Sequence, residues 1–426
     1  MPVIISQIPK PFLSHLLHLN STLKNAGFES YLVGGSVRDL VMGKNPNEYD
    51  LTTNAKPMEV KKLFRTVIDT GIDHGTVTVV LDKINYEITT YRIDKDYVDG
   101  RRPTTVEFGN SLSEDLKRRD FTMNALALDL DSETIVDEHN GMRDIQNKII
   151  QTIGDPIQRF TEDGLRPIRA LRFASTLGFE IEPNTRQAIK QTKEVTKKVS
   201  LERFQDEILK SFKGQKPSVM LSLLLDERYF SLFLPNLNPN PNPNLELLNH
   251  LDSSPKDLVG LQLAFMFSIV CPNSDPKSLE GTLRSFKFSG QMTKDCLFFT
   301  SLLKNWNQIS NSHEIQTKEV KKFILAPMKK HWASRFPDLT ILLQKLTQIF
   351  GTKTKEFCET ILADHPLVLS DLAIGGNDLE NLFPNVEKTK YGIILQNLME
   401  IVWESPKENE IQKLFTHTAE IINNLV

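Results

Sequence analysis

The chain has 426 residues, of which 39% are hydrophobic and 25% charged, with a formal net charge of −3; this balance is typical of a folded globular protein, and the length predicts two to four modules. No apolar run reaches the roughly 18 residues that span a bilayer, and the N-terminus lacks a signal-peptide pattern, so we expect a cytoplasmic protein without a membrane segment. The cysteines Cys271, Cys296 and Cys358 are widely spaced and form no CxxC pair, which argues against a disulfide framework or a structural zinc site.

Residues 1 to about 150 mix short β-branched or alternating runs with helical stretches. Alternation with period two indicates strands, whereas apolar residues spaced three and four apart indicate a helix. On this basis the predicted strands are 31–35, 76–81, 85–92 and 125–130, and the predicted helix is 56–64. The fold class that we expect is α+β, with the strands confined to this N-terminal part.

From about residue 155 the strand signal disappears and helical periodicity dominates. Helical patterns cover 163–179 and 202–212, and they continue around 221–233 and through most of the remaining chain. The segment 234–246 interrupts them with alternating asparagine and proline, which cannot form a helix or a central strand because proline lacks a donor and restrains its predecessor. We predict a loop or linker there, between helical modules.

A glycine pair follows the first predicted strand, in the sequence GGSVRD at 34–39. Gly34 and Gly35 allow the backbone to approach a ligand closely, and the start of a following helix favours phosphate. Arg38 adds a positive charge suited to a triphosphate. The turn by itself predicts a phosphate contact only weakly.

Two carboxylates follow in the sequence EYDLTT at 48–53. If this segment is a strand, Glu48 and Asp50 project from the same face, because side chains alternate along a strand. Two carboxylates on one face suit Mg²⁺ ions that assist phosphoryl transfer. Glu87 is the best candidate for a third acid, provided that its predicted strand lies alongside.

The order of strand, glycine turn, helix and acid pair is that of the DNA polymerase β-like nucleotidyltransferases. The text GGSVRDLVMGKNPNEYDLTTNAKP at 34–57 closely resembles the head of bacterial class II CCA-adding enzymes and their poly(A) polymerase relatives. This resemblance implies a mixed-sheet head, Mg²⁺ held by Glu48 and Asp50, and tRNA, CTP and ATP as substrates. The family usually has aspartate where Glu48 stands, and the extra methylene moves the carboxylate by roughly 1.5 Å.

Two further motifs match the same family. The sequence RRDFTMNALALD at 118–129 resembles its second motif, which implies that Arg119 contacts the triphosphate and that Asp120, with Asn124 nearby, faces the ribose. The sequence VDEHNGMRDI at 136–145 resembles its third motif, in which glycine and aspartate shape the junction between head and neck. Here these residues are Gly141 and Asp144.

The sequence TEDGLRPIRALRFAS at 161–175 resembles the EDxxR motif of the family. If this segment is helical, Asp163, Arg166 and Arg169 share one face, with Arg172 nearby. The resemblance implies that Asp163 and Arg166 form a protein template for the base of CTP or ATP, and that Arg169 and Arg172 add substrate contacts. The sequence 200–212 resembles the last motif, a helix that begins after Ser200 and braces the template helix.

Close relatives in this family differ in their product. The run 70–80 contains the sequence HGTVTV, which resembles the motif of CCA-type enzymes at this place. Bacterial poly(A) polymerases have a GRRF-like motif there instead. The segment 92–108, with a possible lever at residues 99–102, resembles a flexible loop that CC-adding enzymes lack. We therefore expect complete CCA addition. The alternatives are an A-adding enzyme with a separate CC-adding partner, a poly(A) polymerase and a catalytically weak tRNA-binding homologue.

The resemblance also predicts the organisation of the chain. The expected modules are a nucleotidyltransferase head (1–150), a base-reading neck (151–215), a helical body (216–310) and a tRNA-binding tail (311–426), and the sequence does not distinguish a monomer from a homodimer. The tail resemblance rests on 372–414. A basic cluster precedes it, and this cluster is either a phosphate contact or a solvated helix face: Lys318, Lys321, Lys322, Lys329, Lys330 and Arg335.

Overall fold

The computed structural model describes residues 5–97, 103–109, 111–234, 245–310, 317–332, 339–346, 358 and 366–425. The chain divides into two units, Met1–Asn236 and Leu237–Val426. The division falls in the asparagine- and proline-rich segment for which the sequence predicts a linker, although residues 235–244 lie outside the described part. The finer division into head, neck, body and tail stays a prediction.

A mixed sheet forms the centre of the N-terminal unit. Its strands, in the order in which they pair, are β3 (Val67–Gly71), β4 (Thr76–Leu81), β5 (Ile84–Thr90), β2 (Asp50–Thr53), β1 (Tyr31–Val33), β8 (Ala127–Leu128) and β9 (Ile135–Val136). Strands β2 and β5 are parallel, and the other neighbours in this sheet are antiparallel. Two smaller sheets pair β6 (Arg92–Tyr97) with β7 (Pro103–Phe108) and β10 (Ile149–Ile150) with β11 (Glu180–Ile181).

The helices of the N-terminal unit surround this sheet and then continue without it. They are α1 (Phe12–Asn25), α2 (Gly35–Val41), α3 (Pro57–Leu63), α4 (Leu112–Lys117), α5 (Gly141–Asn147), α6 (Pro156–Glu162), α7 (Leu165–Leu177), α8 (Pro183–Gln191), α9 (Lys193–Thr196), α10 (Leu201–Phe212), α11 (Pro217–Asp226) and α12 (Phe230–Phe233). Short 3-10 turns occupy Ile5–Gln7, Ile72–His74 and Thr122–Asn124.

The described part of the C-terminal unit contains helices and no strands. The helices are α13 (Leu245–Ser253), α14 (Val259–Val270), α15 (Pro276–Ser285), α16 (Gly290–Ser310), α17 (Thr317–Val320), α18 (Ala326–Trp332), α19 (Leu339–Lys345), α20 (Gly376–Leu382), α21 (Tyr391–Glu404) and α22 (Ile411–Leu425), with a π-helical turn at Lys321–Leu325 between α17 and α18. Short 3-10 turns lie at Leu369–Asp371, Lys388–Lys390 and Pro406–Glu408.

The predicted α+β class, with a mixed-sheet head followed by helices, is confirmed. Strand β4 matches the predicted 76–81, and α3 begins at Pro57, where proline suits a first helical turn. The predicted strand 31–35 ends at Val33 because Gly35 already begins α2. The predicted end of strand structure near 155 is wrong in one place, since β11 pairs in parallel with β10.

The junction after the second motif depends on close backbone contact. A Cβ on Gly141 would lie 2.3 Å from the backbone oxygen of Thr122, so no larger residue fits without a shift of the backbone. The buried Asp144 accepts a 2.7 Å hydrogen bond from the Thr122 hydroxyl. These contacts pack α5 against the Thr122–Asn124 turn, which agrees with the structural role expected of Gly141 and Asp144.

Candidate active site

Two carboxylates lie side by side on the parallel strands of the head. Asp50 of β2 is in register with Glu87 of β5, so the expected adjacency of these strands is confirmed. Both side chains line a cavity of about 600 Å³. Burial, followed by the negative charges of Glu87 and Glu48, raises the pKa of Asp50 to about 6. The acids therefore concentrate negative charge that a bound cation would neutralise.

Glu48 is placed differently from its two partners. The predicted strand 48–53 begins only at Asp50, so Glu48 precedes the strand, is exposed and does not line the cavity. Tyr49 between them is buried, with 2% of its surface exposed, so the expected alternation is kept. Glu48 nevertheless lies close enough for its charge to raise the pKa of Asp50.

The carboxylates fit Mg²⁺ in kind. Within the described residues, no three Asp, Glu, His or Cys side chains stand close enough to enclose an ion. Mg²⁺ does not need such an enclosure, because it is usually held by one or two carboxylates together with water and substrate phosphates. Asp50 and Glu87 provide two such oxygen ligands at the cavity wall, and Glu48 stands beside them.

The glycine turn forms another part of the cavity wall. Gly34 adopts φ 75° and ψ −134°, a conformation that other residues rarely take. A Cβ at Gly34 would lie 3.0 Å from Nη1 of Arg119, so the absence of a side chain also makes room for this guanidinium. Gly35, the first residue of α2, and Arg119 both line the cavity. The turn and the arginine of the second motif are thus brought together.

Arg38 is held by two neighbours. Its Nε and Nη2 donate to the carboxylate of Asp39 at 2.9 and 2.7 Å, and its Nη1 donates to Oδ1 of Asn124 at 2.7 Å. Only 8% of Arg38 is exposed, yet both Arg38 and Asn124 line the cavity. Asn124 therefore links the glycine-turn helix to the second motif.

Asp120 is largely occupied by protein donors. Its Oδ1 accepts from the backbone of Phe121 at 2.8 Å and from Asn124 at 3.1 Å, and its Oδ2 accepts from Nε of Arg169 at 2.7 Å. Burial alone would raise the pKa of Asp120, but the charge of Arg169 and these hydrogen bonds hold it at about 2. A carboxylate offers about four acceptor positions; these three bonds take most of them, and Nη2 of Arg169 also lies 2.7 Å from Oδ2.

Asp163 does not lie within the template helix. The expectation that 163–179 is helical fails at its start, because α7 begins at Leu165 and Asp163 is extended, with φ −141° and ψ 109°. Its Oδ1 accepts from the backbone of Leu165 at 3.0 Å, and its Oδ2 accepts from Nη2 of Arg203 at 2.9 Å. The side chain still lines the cavity.

Arg166 is buried in the first turn of α7, with 7% of its surface exposed. Its Nη1 donates to the Arg159 carbonyl at 2.8 Å and to Glu162 at 2.5 Å, and its Nη2 donates to the Arg118 carbonyl at 3.1 Å. Three of the five guanidinium donors are thus used to hold the fork in one orientation. Its edge lines the same cavity as Asp163, as the template interpretation requires.

Arg169 and Arg172 have different surroundings. Arg169 lines the cavity and bonds Asp120, whereas Arg172 does not line the cavity. Arg172 donates to the buried carboxylate of Glu207 and lies over the ring of Phe173, 3.8 Å from its centroid. The expected substrate contact is therefore not supported for Arg172, which instead connects α7 to α10. The predicted N-cap of α10, Ser200, is confirmed.

The cavity as a whole is rich in positive charge. Seven arginines line it against four carboxylates, which suits a polyanionic ligand. Sequence reasoning did not assign some of the lining residues to the site, although strand alternation places Thr89 on the face of Glu87. These residues are His74, Thr76, Thr89, Arg92, Arg118, Phe173 and Arg203.

Two predicted regions outside the cavity have different outcomes. Residues 99–102, the expected lever, lie outside the described residues. The basic cluster of the C-terminal unit is mostly paired: Lys318 and Lys322 contact Glu400, and Lys329 contacts Asp371. Lys321 is buried and donates to the Trp403 carbonyl at 3.0 Å, while Arg335 is not described. Most of these cations are therefore not available as a shared phosphate grip.

Comparison with known proteins places this geometry in a family. Residues 30–151 match a family model described as the poly A polymerase head domain, and residues 178–240 match one described as a probable RNA and SrmB-binding site of polymerase A. A CCA-adding enzyme of Streptococcus suis is 34% identical over 420 residues, which cover 99% of each chain. The chain belongs to the family of CCA-adding enzymes.

Other members of the CCA-adding family support this assignment. A CCA-adding enzyme of Lactobacillus helveticus is 43% identical over 293 residues, which cover 68% of this chain and 71% of that one. The crystal structure of the Bacillus stearothermophilus CCA-adding enzyme in complex with CTP superimposes with a TM-score of 0.76 at 26% identity, covering 98% of this chain and 99% of that one. The expected nucleotidyltransferase family is confirmed. In the described part of the chain, no helix has the length and apolar character to cross a membrane.

Proposed function

We propose that this protein adds C, C and A in turn to the 3′ end of tRNA, using CTP and ATP and releasing pyrophosphate. The observation that carries the proposal is the shared cavity, which is lined by both the Asp50–Glu87 pair and the Asp163–Arg166 pair. The first pair suits phosphoryl transfer, and the second offers donors and acceptors to the edge of a base. Both are what a polymerase without a nucleic-acid template requires.

The nucleotide is bound by three groups of residues in this proposal. The turn at Gly34 and Gly35, with Arg38 and Arg119, surrounds the triphosphate, because these residues bring backbone N–H groups and cations to one wall of the cavity. Asp120, oriented by Asn124 and Arg169, accepts the ribose hydroxyl. Asp163 and Arg166 read the base. The firm hold on Arg166 by three protein acceptors allows it to discriminate between bases, since its donors have fixed directions.

The chemistry takes place at the acids. The oxygen of the 3′-hydroxyl forms a bond to the α-phosphorus, the bond from this phosphorus to the bridging oxygen breaks, and pyrophosphate leaves. Glu87, which is exposed to water, accepts the hydroxyl proton; if it instead supplies a further metal ligand, the proton passes to water. Glu48 and Asp50 would hold Mg²⁺, which supplies electrostatic stabilisation of the attacking and leaving oxygens.

The substrates imply a cytoplasmic enzyme. In the described part of the chain, Cys271, Cys296 and Cys358 are buried and form no disulfide, which agrees with a reducing compartment. Among the alternatives, an A-adding enzyme would extend only RNA that already ends in CC. A poly(A) polymerase would add A repeatedly, and a weak homologue would bind tRNA without extending it.

The test is extension of three tRNA transcripts, ending before CCA, after C and after CC, with Mg²⁺ and labelled CTP or ATP. Completion of all three to CCA supports the proposal. Addition to the CC-ending transcript alone would make the protein an A-adding enzyme. Addition of a long A tract to the transcripts would make the protein a poly(A) polymerase. If no transcript were extended, the protein would be a homologue that binds tRNA without extending it.

A further inference from the structure

One wall of the cavity is not used by the nucleotide contacts described above. It consists of His74, Thr76, Thr89 and Arg92, which we call the β4–β5 rim. None of these residues belongs to the acid pair, the glycine turn or the template.

The sheet order determines where the β4–β5 rim lies relative to the acids. Strands β1, β2, β5 and β4 are consecutive neighbours. Gly34 follows β1, Asp50 begins β2, Glu87 lies in β5, and Thr76 begins β4. A path across the sheet therefore meets the glycine turn first, then the two acids, and then β4. Thr89 lies two residues along β5 from Glu87 and pairs with Thr76 of β4.

The in-line geometry of phosphoryl transfer relates this order of strands to the positions of the two substrates. Attacking and leaving oxygens lie on opposite sides of the transferred phosphorus. The leaving pyrophosphate belongs to the side of Gly34, Arg38 and Arg119, and the α-phosphate belongs beside Asp50. The attacking 3′-hydroxyl must then arrive from the far side of the acids, where the β4–β5 rim stands.

The rim is built to hold its side chains in place. Gly75 has φ 80°, and a Cβ there would come within 2.9 Å of the Phe108 ring, so the turn after His74 requires glycine. Nη1 of Arg92 donates to the His74 carbonyl at 3.0 Å and secures the same turn. The hydroxyls of Thr76 and Thr89 bond each other at 3.0 Å across β4 and β5.

The chemistry of the rim suits the end of an RNA strand. An imidazole, a guanidinium and two hydroxyls provide donors for phosphate oxygens and for the 2′- and 3′-hydroxyls of a ribose. Within the described residues, the imidazole of His74 makes no hydrogen bond, and it is half-exposed at the cavity wall. The rim residues include no Phe, Tyr or Trp, and their donors favour a contact with sugar and phosphate.

We propose that the β4–β5 rim binds the 3′-terminal ribose and phosphate of the RNA that is extended, with His74 as its principal contact. This inference rests on the proposed function, because it assigns the second substrate of that reaction. It also explains why the run 70–80 carries a histidine at the turn before β4: the turn faces the incoming strand.

The test compares His74→Ala with His18→Ala, a matched histidine that is exposed on α1 and does not line the cavity. The substrate is a short acceptor-stem hairpin without CCA, in which the 3′-end contact is a large share of the binding. For His74→Ala we expect the KM for the hairpin to rise about tenfold, the size of one lost hydrogen bond to a charged group, with the KM for CTP changed less than about twofold. His18→Ala should change neither KM.

A second variant distinguishes weaker RNA binding from loss of folding. Thr89→Val keeps the size and branching of the side chain and removes only the hydroxyl, and it should also raise the hairpin KM selectively. Equal increases in both KM values, or an unchanged hairpin KM in both rim variants, would overturn the inference while leaving CCA addition by the wild type intact. Failure of the wild type to extend any transcript would instead overturn the proposed function and this inference with it.

Discussion

The guanidinium of Arg169 donates from Nε to Oδ2 of Asp120 at 2.7 Å. Arg169 belongs to α7, which carries the candidate template, and Asp120 belongs to the second motif, which the resemblance associates with the ribose. Arg169 also lies 3.9 Å from the buried carboxylate of Glu207. One arginine therefore connects the sheet-bearing part of the unit to the helices that follow it.

Replacing Arg169 should destabilise this unit. Arg169→Ala leaves the buried Asp120 without its ionic partner, and breaking one side of a buried pair costs about 3 kcal/mol of unfolding free energy. Chemical denaturation measures the change. Arg284→Ala is the matched control, because the side chains of Arg284 and its partner Glu280 are 73% and 39% exposed, and it should change the free energy by less than about 0.5 kcal/mol. Equal losses in the two variants would contradict the connecting role.

The Asp120 pair should make stability depend on acid pH. The folded-state pKa of about 2 lies below the value of an unfolded aspartate, near 3.9, so the contribution is complete above about pH 4 and is lost as the pH falls toward 2. Its size is about 2 kcal/mol. Urea unfolding at pH 5, 4 and 3 should show the wild type and Asp120→Asn converging as the pH falls. A difference that stays constant over this range would refute the assignment.

Arg166 should govern the choice of nucleotide. Arg166→Ala removes the donors that face the base, so the preference for correct over incorrect nucleotides should fall tenfold or more, about the size of one hydrogen bond to a charged group. The Kd for tRNA should not change. Single-nucleotide incorporation and filter binding measure the two quantities. Arg186→Ala is the control, because Arg186 is exposed and does not line the cavity. If Arg166→Ala reduced nucleotide preference and tRNA binding equally, the template role would be refuted.

Gly141 should not tolerate alanine. The added Cβ would lie 2.3 Å from the Thr122 oxygen, and the backbone shift that relieves this overlap costs about 1–3 kcal/mol or more. Gly281→Ala is the matched control, because that glycine lies inside α15 with open space around it, and alanine there should stabilise the helix by up to about 1 kcal/mol. Thermal unfolding of both variants distinguishes them. A neutral Gly141→Ala would show that α5 is free to move.

Glu48 should affect kcat through its negative charge and through the length of its side chain. Glu48→Gln removes the charge that faces Asp50 and should lower kcat about 100-fold, the scale of a ligand misplaced by about 1 Å. Glu48→Asp restores the family's usual residue and should keep or raise kcat, with the KM for tRNA unchanged in both variants. Steady-state CTP incorporation over a range of Mg²⁺ concentrations measures this. Full activity of Glu48→Gln would remove Glu48 from the catalytic set.

Sequence reasoning was accurate where a pattern acts locally. Strand β4, helix α3 and the Ser200 cap depend on side chains within a few residues of each other, so period and capping chemistry predict them. The two-residue strand β11 escaped this reasoning because its partner β10 lies thirty residues or so earlier, and such short pairings leave little periodicity to read.

The candidate site also contains features that the sequence predicts and features that depend on the tertiary structure. The sequence by itself determined the family, the cavity residues Asp50 and Glu87, and four of the seven arginines of the cavity, because the chemistry of phosphate and metal binding is carried by residue type and motif order. Only the tertiary structure decided that Arg169 faces the cavity while Arg172 turns to Glu207, that Asp163 precedes its helix, and that Lys321 is buried. The physical reason is that the orientation and pairing of a charged side chain depend on which distant backbone packs against it, and spacing along the chain does not contain that information.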